Sequence, residues 1–240
     1  MRTIAVATGF GAAVLLLAVA AWVAAAPQDA APPTPQLSSQ PSPPACQPLD
    51  PCPPSSTLPT VDTCLADGCA CAQQLACYLG QQDLDAWPLF PQSAPAHLNT
   101  GATHGRFVTT RVNPAAQAAA EQQIADRSLA ADLPSGSLLV KQNYLPSADD
   151  PTQPDLSTVF LTTMYKLDGY CPDGQRQANG DCAGGDWFWS LERFGGFQFV
   201  GKPAFCLDCH GAVAGANGGD WSWQLELFRR FPNSGEEAAR

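Results

Sequence analysis

From about residue 97 onward, apolar and polar positions fall into short runs separated by turn-forming residues. Arg106-Phe107-Val108-Thr109-Thr110-Arg111-Val112 alternates polar with apolar and predicts a strand. Ser137 to Leu145 (SLLVKQNYL), Thr158 to Leu167 (TVFLTTMYKL), Asp186 to Arg193 and Phe197 to Lys202 predict four more, with Leu133-Pro134-Ser135-Gly136 and Gly195-Gly196 as turns. Asn113 can cap a helix and Pro114 suits a first turn, so a helix is expected from Asn113 to about Leu129. A short helix should carry residues 206–210, and Asp220 can cap a last one with Trp221, Leu225 and Phe228 on one face. Short strands joined by turns, with helices before and after, predict an α+β domain: a mainly antiparallel β-sheet with a few helices.

The chain upstream of this domain has a different character. Arg2 is followed by an uncharged apolar run from Thr3 to Ala26, so residues 1–26 read as a signal peptide or an N-terminal membrane anchor. Ala24-Ala25-Ala26 offers small residues for cleavage, whereas Pro27 is awkward directly after such a point, and both readings stand. Either one exports everything downstream, to a periplasmic or membrane-anchored extracytoplasmic location. Residues 27–59 are rich in Pro, Ala, Ser and Gln and cannot bury a core, which makes them a stiffened tether. Residues 60–96 form a Cys-rich segment and residues 97–240 the packed domain. The net charge of -10 leaves no basic surface for a phosphate backbone, so nucleic acid is not an expected partner.

Ten cysteines change the picture further. Cys46, Cys52, Cys64, Cys69, Cys71, Cys77, Cys171 and Cys182 are an even set in an exported chain, which predicts four disulfides. Cys171 and Cys182 bracket the turn formers Pro172-Asp173-Gly174 and Asn179-Gly180, so a bridge closing that loop is expected. The six early cysteines would then pair among themselves, in an open connectivity.

The remaining two stand in Cys206-Leu207-Asp208-Cys209-His210, the C-x-x-C-H pattern of covalent haem c attachment. Two thiols three positions apart lie about one helical turn apart and can reach the two vinyl groups on one edge of a porphyrin. His210 then follows as the axial iron ligand. A zinc half-site would need further ligands, and the only other histidines are His97 and His104. A redox C-x-x-C pair would not need the adjacent His, and a structural disulfide is the plainest competitor.

The ordered series H-G-R-F-V-T-T-R-V-N at 104–113, L-P-S-G-S-L-L-V-K-Q-N-Y at 133–144, T-M-Y-K at 163–166, D-W-F-W at 186–189 and G-K-P-A-F-C-L-D-C-H at 201–210 resembles the cytochrome P-460 family, which includes the cytochromes c′-beta. The resemblance covers about residues 97–231. It implies a largely antiparallel sheet, usually in a homodimer, around a five-coordinate haem c with an open distal side. It also implies two chemistries. Cytochromes P-460 carry a lysine bonded to a meso carbon of the haem and oxidise hydroxylamine, passing electrons to an acceptor such as a soluble cytochrome; cytochromes c′-beta bind nitric oxide without that turnover. Lys141, in the V-K-Q-N-Y element, takes the crosslink position by this resemblance, and Lys166 in T-M-Y-K is its rival. The bland reading of each is a strand-edge lysine reaching for water.

Oxidation of a bound nitrogen compound also needs a proton acceptor. Asp186, Glu192 and Asp220 are carboxylate candidates, although Asp186 and Asp220 serve equally well as turn or cap residues. A plain electron carrier would want a sixth ligand, for which Met164, His97 and His104 are the available Met and His side chains. Trp187 and Trp189 are expected on one face of their strand, packed beside the haem or the core.

Overall fold

The computed structural model describes residues 46–91, 93, 97–98, 104–126, 128–129, 132–178, 180, 182–193 and 195–214. Six antiparallel strands pair in chain order: β1 (His97–Leu98), β2 (Phe107–Val112), β3 (Leu138–Pro146), β4 (Pro154–Lys166), β5 (Trp187–Arg193) and β6 (Gly196–Gly201). This is the mainly antiparallel α+β arrangement that the alternating pattern predicts. The described residues all lie in one compact unit, within Pro43–Arg240. The expected N-terminal signal or anchor, most of the tether and the last helix after Asp220 lie outside the described residues. Among the described residues no helix is long and apolar enough to cross a membrane.

Strand alternation sorts the core into two layers. Register pairs Thr110 with Lys141, Lys141 with Thr162, Leu139 with Met164 and Met164 with Trp189, so these residues share one face. There Leu139, Met164, Trp187 and Trp189 pack with Val112, Ala116 and Ala120 and with Cys206. The other face carries Leu138, Val140, Tyr165 and Phe188, which pack against Cys71, Ala72, Leu75 and Leu79.

Helix α3 (Pro114–Ala125) begins where expected and stops four residues earlier than Leu129. Asn113 fixes its start. Its Oδ1 accepts from Ala116 N at 3.1 Å and from Leu138 N at 3.1 Å, and its Nδ2 donates to Gly136 O at 2.8 Å. One side chain thus joins the helix cap to the first residue of β3, and such a cap contributes about 1 kcal/mol. Strand β4 starts at Pro154, before the expected Thr158, because Leu145 and Pro146 pair with Asp155 and Pro154 across a bulge after Tyr144.

The Cys-rich segment is helical. α1 (Val61–Ala66) is capped by Thr60, and α2 (Gly68–Gly80) by Asp67, whose carboxylate accepts from Cys69 N at 2.8 Å and Ala70 N at 3.2 Å. Cys46–Cys69 and Cys52–Cys77 tie α2 to the chain before these helices, Cys64–Cys71 ties α1 to α2, and Cys171–Cys182 closes the predicted loop. Four disulfides mark a protein that folds under oxidising, extracytoplasmic conditions. The segment therefore completes the second core layer of the domain.

Candidate functional site

Helix α4 (Ala204–Ala214) carries the C-x-x-C-H residues. Pro203 precedes it, and its carbonyl accepts from Cys206 N and Leu207 N at 3.0 and 3.2 Å. Spacings of three and four place Cys206, Cys209 and His210 on neighbouring turns of one side of the helix. Cys206 is buried against the first core layer, Cys209 is exposed and His210 is buried. The His210 ring meets Trp189 edge-on with centroids 6.1 Å apart. With the other eight cysteines in disulfides, Cys206 and Cys209 are the free thiols.

Lys141 projects from β3 toward this helix. Burial pushes its ammonium down to about 8, while the sulfurs of Cys209 and Cys206 act in the opposite sense. The reciprocal effect is felt at Cys206, whose thiol burial pushes up to about 12 against the pull of Lys141. Lys141 Nζ also lies 3.2 Å from His104 Nε2, and His104 Nδ1 lies 3.4 Å from Thr162 Oγ1. Burial first, then the charges of Lys141 and His210, hold His104 well below its ordinary value. At neutral pH the Lys141 ammonium therefore donates to a neutral His104, whose Nδ1–H is directed to Thr162. Asn143 Nδ2 braces the arrangement, donating to Thr162 Oγ1 at 3.0 Å and Lys141 O at 2.9 Å.

Gly105 lets His104 reach this position. A Cβ there would stand 2.6 Å from Tyr144 O and 2.8 Å from Tyr144 N, so the chain beside His104 passes too close to β3 for any side chain.

The other sequence candidates are distributed elsewhere. Lys166 is ion-paired with Asp132, and its Nζ lies 5.5 Å from the centre of the Trp187 ring. Met164 is a core residue between Leu139 and Trp189. Trp187 and Trp189 share the expected face, and both indole Nε1 groups are buried with no acceptor among the described residues. Glu192 pairs with Leu161 on the opposite face, lining a cavity of about 550 Å³ with Gln142, Leu79 and Leu84. Burial raises its carboxyl. Asp186 sits near Lys202, where its charge supports the ammonium. Asp220 and the side chain of His97 lie outside the described residues.

Lys202 is a buried cation that the sequence did not single out. Its Nζ donates to Tyr170 O at 2.9 Å, Ala183 O at 3.0 Å and Gly185 O, with Cys182 Sγ at 2.9 Å. In the sequence it stands only as the end of a predicted strand, before the Pro203 that opens α4.

The arrangement offers two thiols and an imidazole on one helix, a lysine amine held near both sulfurs, and a neutral imidazole beside that amine. Among the described residues no group of three or more His, Cys, Asp and Glu side chains is gathered as a metal-ion site, so the zinc reading finds no ligand set among them. Covalent haem attachment would call for a different set, two thiols to become thioethers and one imidazole for the iron, and Cys206, Cys209 and His210 are residues of those kinds. No family model and no curated protein matches the chain.

Proposed function

We propose that this chain is an exported haem c protein of the cytochrome P-460 kind. Cys206 and Cys209 hold the haem through thioethers, and His210 is the axial iron ligand. The observation that carries the reading is the separation of the cysteines: eight are in disulfides and the two left free are those of C-x-x-C-H, with Lys141 within electrostatic reach of both and His104 within reach of His210. When bound, the haem supplies an iron centre able to take up a small nitrogen compound and remove electrons from it.

The chain's own residues prepare that site. Lys141 is assigned the crosslink to the haem ring, because its amine is desolvated and feels both sulfurs, whereas Lys166 is engaged by Asp132. His104, held neutral, offers Nε2 to the Lys141 amine, and Thr162 and Asn143 fix its ring. Trp189 and Met164 keep water from the inner side of α4. Hydroxylamine or a related small nitrogen compound is the substrate class, and the net charge of -10 suits a basic soluble cytochrome as electron acceptor. The N-terminal 1–26 would serve as signal or anchor, and the catalytic unit would be a homodimer.

A second reading, a cytochrome c′-beta-like gas-binding protein without turnover, is favoured by one observation: Glu192 and Asp186 are placed away from the Lys141–His104 pair, so neither is the proton acceptor there. The absorption spectrum of the ferrous haem-loaded protein separates the two. A strongly red-shifted Soret band that disappears in Lys141→Leu supports the oxidase. An ordinary high-spin haem c spectrum, unchanged in that variant, supports gas binding.

A further inference from the structure

The loop between Tyr170 and Gly185 lies at the start and along the side of the haem-bearing helix. Its last turn passes Gly184 at φ +77°, where a Cβ would stand 2.5 Å from Leu207 Cδ2 and 2.8 Å from the Trp189 ring. Leu207 lies between the two attachment positions, and Trp189 packs against His210. The loop thus presses on both the helix and the aromatic ring behind its axial ligand. Two devices hold the loop there. The Cys171–Cys182 bridge closes it, and Lys202, four residues before Cys206, ties three of its carbonyls to the chain that opens α4. A buried ammonium satisfied by carbonyls is costly to leave unpaired, so cage and cation stand or fall together.

We infer that Lys202 and the bridged 170–185 loop form a clamp that sets the position of α4, with Lys202 as a positioning residue for Cys206 and His210. The inference deepens the haem c reading, since the position of His210 matters through the ligand it becomes, but the clamp itself is a property of the chain. Disorder of the loop should loosen α4 before it loosens the sheet, because the loop meets α4 at Leu207 and its lead-in at Lys202 while β3 and β4 are held by their own ladder.

Cys206 is a built-in reporter, being buried and free when no haem is attached. In the haem-free protein, Lys202→Met and Gly184→Ala should each raise the rate of Cys206 alkylation by iodoacetamide about tenfold or more, as local opening does. Leu156→Ser, on the exposed start of β4, should leave that rate unchanged. In the haem-loaded protein the same two clamp variants should keep the haem while shifting the ferric spectrum and the iron–histidine stretch. Should Lys202→Met fail to fold, the paired Cys171→Ser/Cys182→Ser variant opens the loop and carries the same comparison. Alkylation rates within twofold of wild type in the folded clamp variants overturn the inference. If the chain holds no haem yet Cys206 responds as stated, the clamp is upheld and only the haem reading fails; if haem is held and neither rate nor spectrum moves, the clamp alone is overturned.

Discussion

Lys141 Nζ lies 3.2 Å from His104 Nε2, an amine and an imidazole brought together from positions 37 residues apart. The contact explains why Lys141 does not reach for water. β3 buries its stem between Thr110 and Thr162, and His104 closes over its end. A strand lysine becomes a buried, partly deprotonatable amine within electrostatic reach of two cysteine sulfurs.

This burial gives Lys141 a measurable pH signature. Its folded value of about 8 lies below the ordinary 10.5, so the unfolded chain binds more protons between those limits and stability rises with pH across them. Below pH 8 the lysine therefore costs the folded state up to about 3 kcal/mol at 1.36 kcal/mol per unit. In the haem-free chain Cys206 acts oppositely above its ordinary value of 9.0, since its folded thiol holds its proton to about 12. The difference between wild type and Lys141→Met isolates the lysine. Urea unfolding should show the variant more stable at pH 7 and that advantage shrinking by pH 10; parallel pH profiles would contradict the burial.

The two strand lysines should respond differently to removal. Lys166→Leu loses an ion pair whose carboxylate is largely exposed, 69% on Asp132, so the change in stability should be about 1 kcal/mol or less. The haem-loaded spectrum should stay as in wild type. A spectrum altered by Lys166→Leu and untouched by Lys141→Leu would move the crosslink assignment to the rival residue.

Gly105→Ala tests the placement of His104. The added methyl meets backbone atoms of Tyr144, which cannot turn aside as a flexible side chain could. A stability loss of about 1–3 kcal/mol is expected by the overpacking principle, together with restoration of the His104 titration toward its ordinary range as the ring leaves Lys141. An NMR titration of His104 that remains depressed in a folded Gly105→Ala protein would show that the glycine is not what seats it.

Disulfide mapping of the unreduced protein should give Cys46–Cys69, Cys52–Cys77, Cys64–Cys71 and Cys171–Cys182. Removing the last should cost on the order of 2–4 kcal/mol. Any peptide joining Cys171 to an early cysteine would overturn this pairing.

What the sequence could and could not reveal follows from how local each signal is. The strands of the sheet from Phe107 to Gly201 were readable because their alternation and their turns are local, and Asn113-Pro114 marks the start of α3 within two residues. The early start of β4 was not readable, since the pairing of Pro154 and Asp155 depends on a bulge in β3. In α2 the apolar positions Cys71, Ala72, Leu75 and Leu79 do recur at helical spacing behind the Asp67 cap. Cys206, Cys209 and His210 stand within five residues, so the motif they form is itself local. The Lys141–His104 pair and the Lys202 clamp depend on register and on loop packing, which no short stretch encodes.

The central claim, that Cys206 and Cys209 are covalent haem attachment points, is tested most directly by intact mass spectrometry of the denatured protein after export alongside haem c attachment machinery. The account predicts one haem retained per chain, lost when Cys206 and Cys209 are both replaced by Ala. A chain at its polypeptide mass, with Cys206 and Cys209 joined in a disulfide or holding zinc, would contradict it.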